Sequence, residues 1–174
     1  MPKRLADRQN LTDGLVHGIM SAGAALIAYL PTQALGLREG FWAAITAITV
    51  VQNALAEVRA SARDQFVGAT IGGSVGVVVS IFAGQHLASF ALAVILAMVL
   101  CSMLNLGSAA RLAGITATII LLVPHQGSAQ TMMVSRIAEV GWGVCVAIVV
   151  VWFTETARTK LAFLSSHRQR VPRG

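Results

Sequence analysis

Apolar residues gather in six stretches: Leu15–Leu30, Phe41–Val58, Phe66–Ala83, Leu87–Leu104, Ala109–Val123 and Ile137–Phe153. The separators are brief and carry turn chemistry: "PTQALGLREG", "RASARD", "GQH", "NLGS" and "PHQGSAQT". A membrane-spanning helix needs about 20 apolar residues, and lipid forces backbone polar groups to pair within the segment. The pattern therefore predicts an all-α chain of six transmembrane helices. The first and fifth stretches reach that length only with their flanks.

Composition agrees with that pattern. Of 174 residues 56% are hydrophobic and only 11% charged, where soluble domains carry about 25%. A soluble core of this size has no room for so much apolar surface, so the class is integral membrane protein. The net charge of +6 raises nucleic acid as a partner. However, the basic residues lie at the ends and in short loops, with no basic face interleaved with aromatics. With the N-terminus inside, eleven Lys and Arg fall on the inner side and only Arg38 and Arg136 on the outer. That asymmetry predicts an inner-membrane, multi-pass protein with both termini cytoplasmic, and no nucleic-acid partner. The organisation expected is a cytoplasmic N-terminus (1–13), a membrane domain (14–155) and a basic cytoplasmic tail (156–174). The first apolar stretch is long for a cleavable signal and is expected to be retained. Cys101 and Cys145 lie inside apolar runs and match no metal spacing, so they read as small buried hydrophobes.

The chain carries a weak internal repeat. "AAITAITVV" (Ala43–Val51) resembles "AGITATIIL" (Ala113–Leu121), and "GGSVGVVVSIF" (Gly72–Phe82) resembles "GVCVAIVVVWF" (Gly143–Phe153). The offsets are 70 and 71 residues. Three helices per unit make the second unit inverted, so a 3+3 inverted repeat is expected, with units at about 14–83 and 87–155. Such repeats place a transporter's substrate near mid-membrane, at the junction of the halves.

Within "VGATIGGSVG", Gly68, Gly72 and Gly76 recur every four residues, and Ser80 continues the series. A phosphate loop requires a Lys after its last glycine, and none is present. The spacing predicts a stripe on one helix face that lets a neighbouring backbone approach closely. Gly14, Gly18 and Ala22, and Ala110, Gly114 and Thr118, form weaker versions, suited to a tight bundle or an oligomer interface. Gly143 is the repeat counterpart of Gly72.

Polar residues inside a membrane mark either helix contacts or a solute path. Trp42, Thr46, Thr49 and Asn53 share a helix face, flanked by Gln52, and the repeat sets Thr116 opposite Thr46. These six are the candidate lining for a polar or amphipathic solute. Hydrogen-bonded glue between helices is the competing reading. Arg136 and Glu139, three residues apart, are placed to pair. They form either an anchoring ion pair or a coupling carboxylate beside a cation for an anionic substrate. His17, four residues after Asp13, is a second candidate for proton relay or a polar interface residue. No hydrolytic set and no H-E-x-x-H or CxxC motif occurs, so neither enzyme activity nor a cofactor or metal is expected. The segment "ARTKLAFLSSHRQR" can extend the last helix as an amphipathic tail near anionic lipid.

"FWAAITAITVVQNALAEVRASARDQFVGATIGGSVGVVVS" (Phe41–Ser80) and "SRIAEVGWGVCVAIVVVWF" (Ser135–Phe153) resemble the fusaric acid resistance (FUSC) and aromatic acid exporter families. The resemblance implies an inner-membrane efflux component for aromatic or other weak organic acids, with Trp42, Thr46, Gln52, Gly68, Gly72, Arg136 and Gly143 as pattern positions. Gln65 stands where the family often has Arg. Larger members carry a second block, so a homodimer is the expected assembly here. The function expected is a six-helix transporter subunit exporting a small organic anion on the proton gradient, with Glu139 or His17 titrating. The alternative is a non-transporting scaffold or accessory subunit that assembles through its glycine seams.

Overall fold

Five of the six apolar stretches each fall on one helix, and the helix ends lie where backbone chemistry puts them. The computed structural model describes residues 2–36, 39–52, 54–123 and 128–169. It contains α1 (Pro2–Ala34), α2 (Phe41–Val50), α3 (Leu55–Ala83), α4 (Leu87–Met103), α5 (Gly107–Leu122) and α6 (Ala129–Gln169). Six helices and an all-α fold agree with the hydrophobic pattern.

The boundaries of four helices depart from it. The apolar run Phe41–Val58 is not one helix. The chain leaves α2 at Val51, whose backbone is extended, and re-enters helix at Leu55. Val51, Ala54 and Val58 keep the run apolar across the break, so hydropathy cannot see it. "RASARD", expected as a turn, is helical and lies in the early turns of α3. The first and last helices extend well beyond Leu15–Leu30 and Ile137–Phe153. Their polar flanks contain good helix formers, and an apolar window marks membrane depth rather than helix length. α6 continues past the apolar stretch to Gln169.

Local chemistry sets the tighter turns. Gly84, at φ +74, closes α3. His86 then caps α4, its Nδ1 accepting from the Ser89 N–H at 3.3 Å. α4 ends with Asn105 at φ +57 and Leu106 N–H bonding back to the Cys101 carbonyl, the left-handed stop that Asn tolerates.

α3, Asn10–Ala34 of α1 and Ala129–Lys160 of α6 are long and apolar enough to cross a membrane, whereas α2, α4 and α5 are shorter apolar helices. Large apolar side chains such as Leu26, Phe82, Ile95, Val149 and Phe153 point outward. Cys145 also faces outward, which corrects its expected burial; Cys101 is buried. An apolar run in such a protein need not be an interior one.

The interior is built largely of alanine and glycine. Ala24, Ala28, Ala43, Ala47, Ala62 and Ala147 share one core cluster between α1, α2, α3 and α6, and Ala93, Ala97, Ala110, Ala113 and Ala117 share another between α3, α4 and α5. Small residues let helix backbones approach where lipid supplies no hydrophobic drive. The touching pairs are α1–α2, α1–α6, α2–α3, α2–α6, α3–α4, α3–α5, α3–α6, α4–α5 and α5–α6. Exchanging α1 with α4, α2 with α5 and α3 with α6 leaves this set unchanged.

Candidate functional site

The glycine stripe of α3 lies on α5. A Cβ at Gly68 would meet the Leu112 Cβ at 2.6 Å, one at Gly72 would collide with the Ala113 carbonyl, and one at Gly76 would meet Ile120 at 3.2 Å. α6 uses the same device on α2. A Cβ at Gly143 would meet the Ala43 carbonyl oxygen at 2.5 Å and the Thr46 Cβ at 2.9 Å. Ala43 and Ala113 are the repeat counterparts read from sequence, as are Gly72 and Gly143. Gly114 faces α4 with ordinary contacts of 3.6 Å to Met98 and Val94. Gly14 and Gly18 have open space around them.

The α2–α6 contact is where the polar residues collect. Two turns before Gly143, Arg136 lays its guanidinium over the Trp42 ring, 4.3 Å from the centroid. Its Nη1 donates to Glu139 Oε2 at 3.3 Å, and the Ser135 hydroxyl donates to Glu139 Oε1 at 3.0 Å. Arg136 and Glu139 are each 5% exposed. Phe41 packs on Trp42 at 4.8 Å with a 33° tilt. The i, i+3 spacing puts both charges on the face that α6 turns to α2, and a cation over an indole gains from the ring quadrupole.

One residue of this cluster escaped the sequence reading. Glu39, just before α2, lies within electrostatic reach of both Arg136 and Glu139. It looked like a loop acid, and only the acid's position beside the Phe41–Trp42 pair hinted otherwise. Glu39 Oε2, Trp42 Nε1 and Arg136 Nε are buried without a hydrogen-bond partner among the described residues. A buried polar atom left unpaired costs about 1–3 kcal/mol, so this closed contact is locally expensive.

The other expected path residues are distributed differently. Thr46 is buried beneath Gly143. Thr49 turns to α3 instead, accepting from Gln65 Nε2 at 2.7 Å, while its carbonyl accepts from Ser61 at 3.3 Å. Gln65, the departure from the family pattern, thus bonds a candidate residue directly. Gln52 is half-buried in the α2–α3 break. Asn53 lies outside the described residues, as do Arg38, the segment 124–127 and the end of the tail. Thr116 is buried in α5, but α2 and α5 are not in contact, so Thr46 and Thr116 do not meet. His17 is half-buried on α1. The Trp142 indole N–H of α6 bonds the Ala28 carbonyl at 3.0 Å, about three helical turns beyond His17, so His17 stands apart from the cluster.

A second residue was also missed. Ala54, which precedes α3, offers no side-chain cap. Glu155, from α6, supplies one, its Oε1 accepting from the Leu55 N–H at 2.8 Å. No local pattern reveals a cap arriving from a hundred residues away.

No curated protein and no solved structure matches the chain. Residues 24–150, which span the α2–α6 contact and the glycine stripe, match the family described as fusaric acid resistance protein-like. The chain belongs to the fusaric acid resistance protein-like family, membrane proteins of transporter type.

Proposed function

We propose that the protein is an inner-membrane exporter subunit for weak organic acids, with six membrane crossings arranged as two inverted halves and both termini cytoplasmic. The observation that carries the reading is the buried Arg136–Glu139 pair on the Trp42 face. Ion pairs inside membrane helices are expensive and concentrate on solute or proton paths. Its place, at the contact of a helix from each half, is where repeat-built transporters bind substrate.

Three further observations support the inverted halves. The helix contacts are invariant under the exchange of halves. The glycine-on-carbonyl contacts, Gly72 at Ala113 and Gly143 at Ala43, are counterparts. The short helices α2 and α5 occupy corresponding places, and each ends in an extended valine, Val51 and Val123. At ten residues α2 is about 15 Å long, half a bilayer core. Non-helical backbone at that depth is tolerated where protein covers it or a cavity hydrates it, and Val51 is fully buried.

Glu139 is the coupling carboxylate in this reading and Arg136 the charge that orients the acid. The test is export of a carboxylic acid from vesicles on an imposed pH gradient. Arg136→Gln abolishes flux while the protein still inserts. Unchanged flux in Glu139→Gln across the pH jump would sink the proton coupling. A second reading, an accessory subunit that does not transport, draws on the open space at Gly14 and Gly18, which leaves a seam free for a partner or a second copy. Under that reading Gly18→Leu abolishes assembly and Thr46→Val changes nothing.

A further inference from the structure

Resting on the reading that solute binds at the Trp42–Arg136–Glu139 cluster, we infer that the cluster takes a weak acid in its neutral, protonated form and discriminates against the anion, with Glu39 as the residue that sets this preference. The first argument is charge. Two carboxylates, Glu39 and Glu139, bear on one guanidinium. Ionised together they carry a net negative charge, and a carboxylate ligand adds a third negative group in a medium that screens poorly. Arg38, next to Glu39 in sequence, lies outside the described residues, and the described neighbours add no further cation. Among the described residues the outer part of α3, Phe66–Ala83, has no ionisable side chain. α5 has only Arg111 at its opposite end, and the corresponding half of α1 has only Tyr29.

The second argument is hydrogen bonding. The cluster's unpaired atoms are two donors, Trp42 Nε1–H and Arg136 Nε–H, and one acceptor, Glu39 Oε2. An undissociated carboxylic acid answers both demands, because its carbonyl oxygen accepts from the N–H groups and its own O–H donates to Glu39. A carboxylate has no proton for Glu39 and leaves that oxygen unpaired beside a like charge. All three atoms are sealed while α2 and α6 touch, so the ligand enters as the outer ends of these helices part. The Gly143–Ala43 contact borders the cluster, one residue from Trp42 on α2 and one turn from Glu139 on α6.

The test uses Trp42 as its own reporter. Trp142→Phe with Trp152→Phe leaves Trp42 as the single tryptophan, and its fluorescence is titrated in the full-length protein in nanodiscs. The probes are benzoic acid, below and above its own pKa, and benzamide, its uncharged isostere, which offers a carbonyl acceptor and N–H donors. Benzamide is expected to quench equally throughout. Benzoic acid is expected to lose affinity on the order of a hundredfold as it ionises, the penalty of placing like charges together. Adding Glu39→Gln is expected to restore benzoate binding, with circular dichroism showing unchanged helicity. Equal binding of acid and anion, or undiminished discrimination in Glu39→Gln, overturns the inference while leaving the cluster as the solute site. Absence of quenching by either probe overturns the site reading as well.

Discussion

The two contacts that carry glycine on carbonyl, α3 on α5 and α6 on α2, share a construction and differ in what surrounds it. Along the α3 stripe the neighbours are Leu112 at Gly68, Ala113 at Gly72 and Ile120 at Gly76, all apolar side chains. Around Gly143 they are Ala43 and Thr46, with Trp42 next to Ala43, Glu139 one turn and Arg136 two turns along α6, and Glu39 within electrostatic reach of both charges. Close backbone approach serves both. One contact spends it on packing alone, and the other uses it to hold a polar cluster away from lipid. The second contact holds three buried polar atoms without a partner among the described residues, and in the proposed cycle it is the one that opens.

The largest effects should come from breaking the polar contact one charge at a time. Removing one member of a buried pair typically costs about 3–5 kcal/mol, because the other is left uncompensated. Here the two members are unequal. Arg136→Gln leaves Glu139 and Glu39 facing each other, whereas Glu139→Gln leaves Arg136 with Glu39 as counter-charge. Arg136→Gln should therefore be the more damaging by denaturant titration in micelles. The double variant Arg136→Gln, Glu39→Gln should recover part of the loss. Equal losses in the two single variants would remove Glu39 from the cluster.

Glycine substitutions come next. Gly72→Ala puts a methyl into the Ala113 carbonyl and Gly143→Ala puts one against that of Ala43. Backbone cannot move aside as a side-chain tip can, and overpacking of this kind costs about 1–3 kcal/mol or more. Both variants should unfold earlier on heating. Only Gly143→Ala should also shift Trp42 fluorescence, since its contact lies on the same pair of helices. A Trp42 shift in Gly72→Ala would mean that the two contacts are mechanically coupled.

The difference between the contacts was half legible in the sequence. A four-residue glycine period is a local signal, and in the structure that stripe lies on α5. The i, i+3 spacing of Arg136 and Glu139 was equally local. What stayed hidden depends on tertiary position. Glu39 joins the cluster because α6 passes over Trp42. Thr49 leaves the expected face because α3 starts only five residues after Val50 and passes close enough for Gln65 to reach it. The α2–α3 break is invisible to hydropathy because valine and alanine flank it, and the Glu155 cap on Leu55 crosses a hundred residues. Local periods predict which face is special; only the neighbour's path decides what it meets.

The smallest effects separate a glycine that packs from one that merely fits. Gly114 has the same small-residue spacing as the α3 stripe, yet an added Cβ would sit 3.6 Å from Met98 and Val94, at ordinary contact distance. Gly114→Ala should therefore be neutral or stabilising, by about 0.5–1 kcal/mol, through helix propensity alone. Gly18 has nothing within 4 Å, so Gly18→Ala should behave likewise in the isolated protein. The two part company if a second copy docks on α1. Gly18→Ala would then lower the dimer fraction in analytical ultracentrifugation, while Gly114→Ala, turned inward to α4, would leave it unchanged. A dimer equally insensitive to both would place any self-association on another face, and the α1 stripe would be a lipid-facing surface that happens to be small.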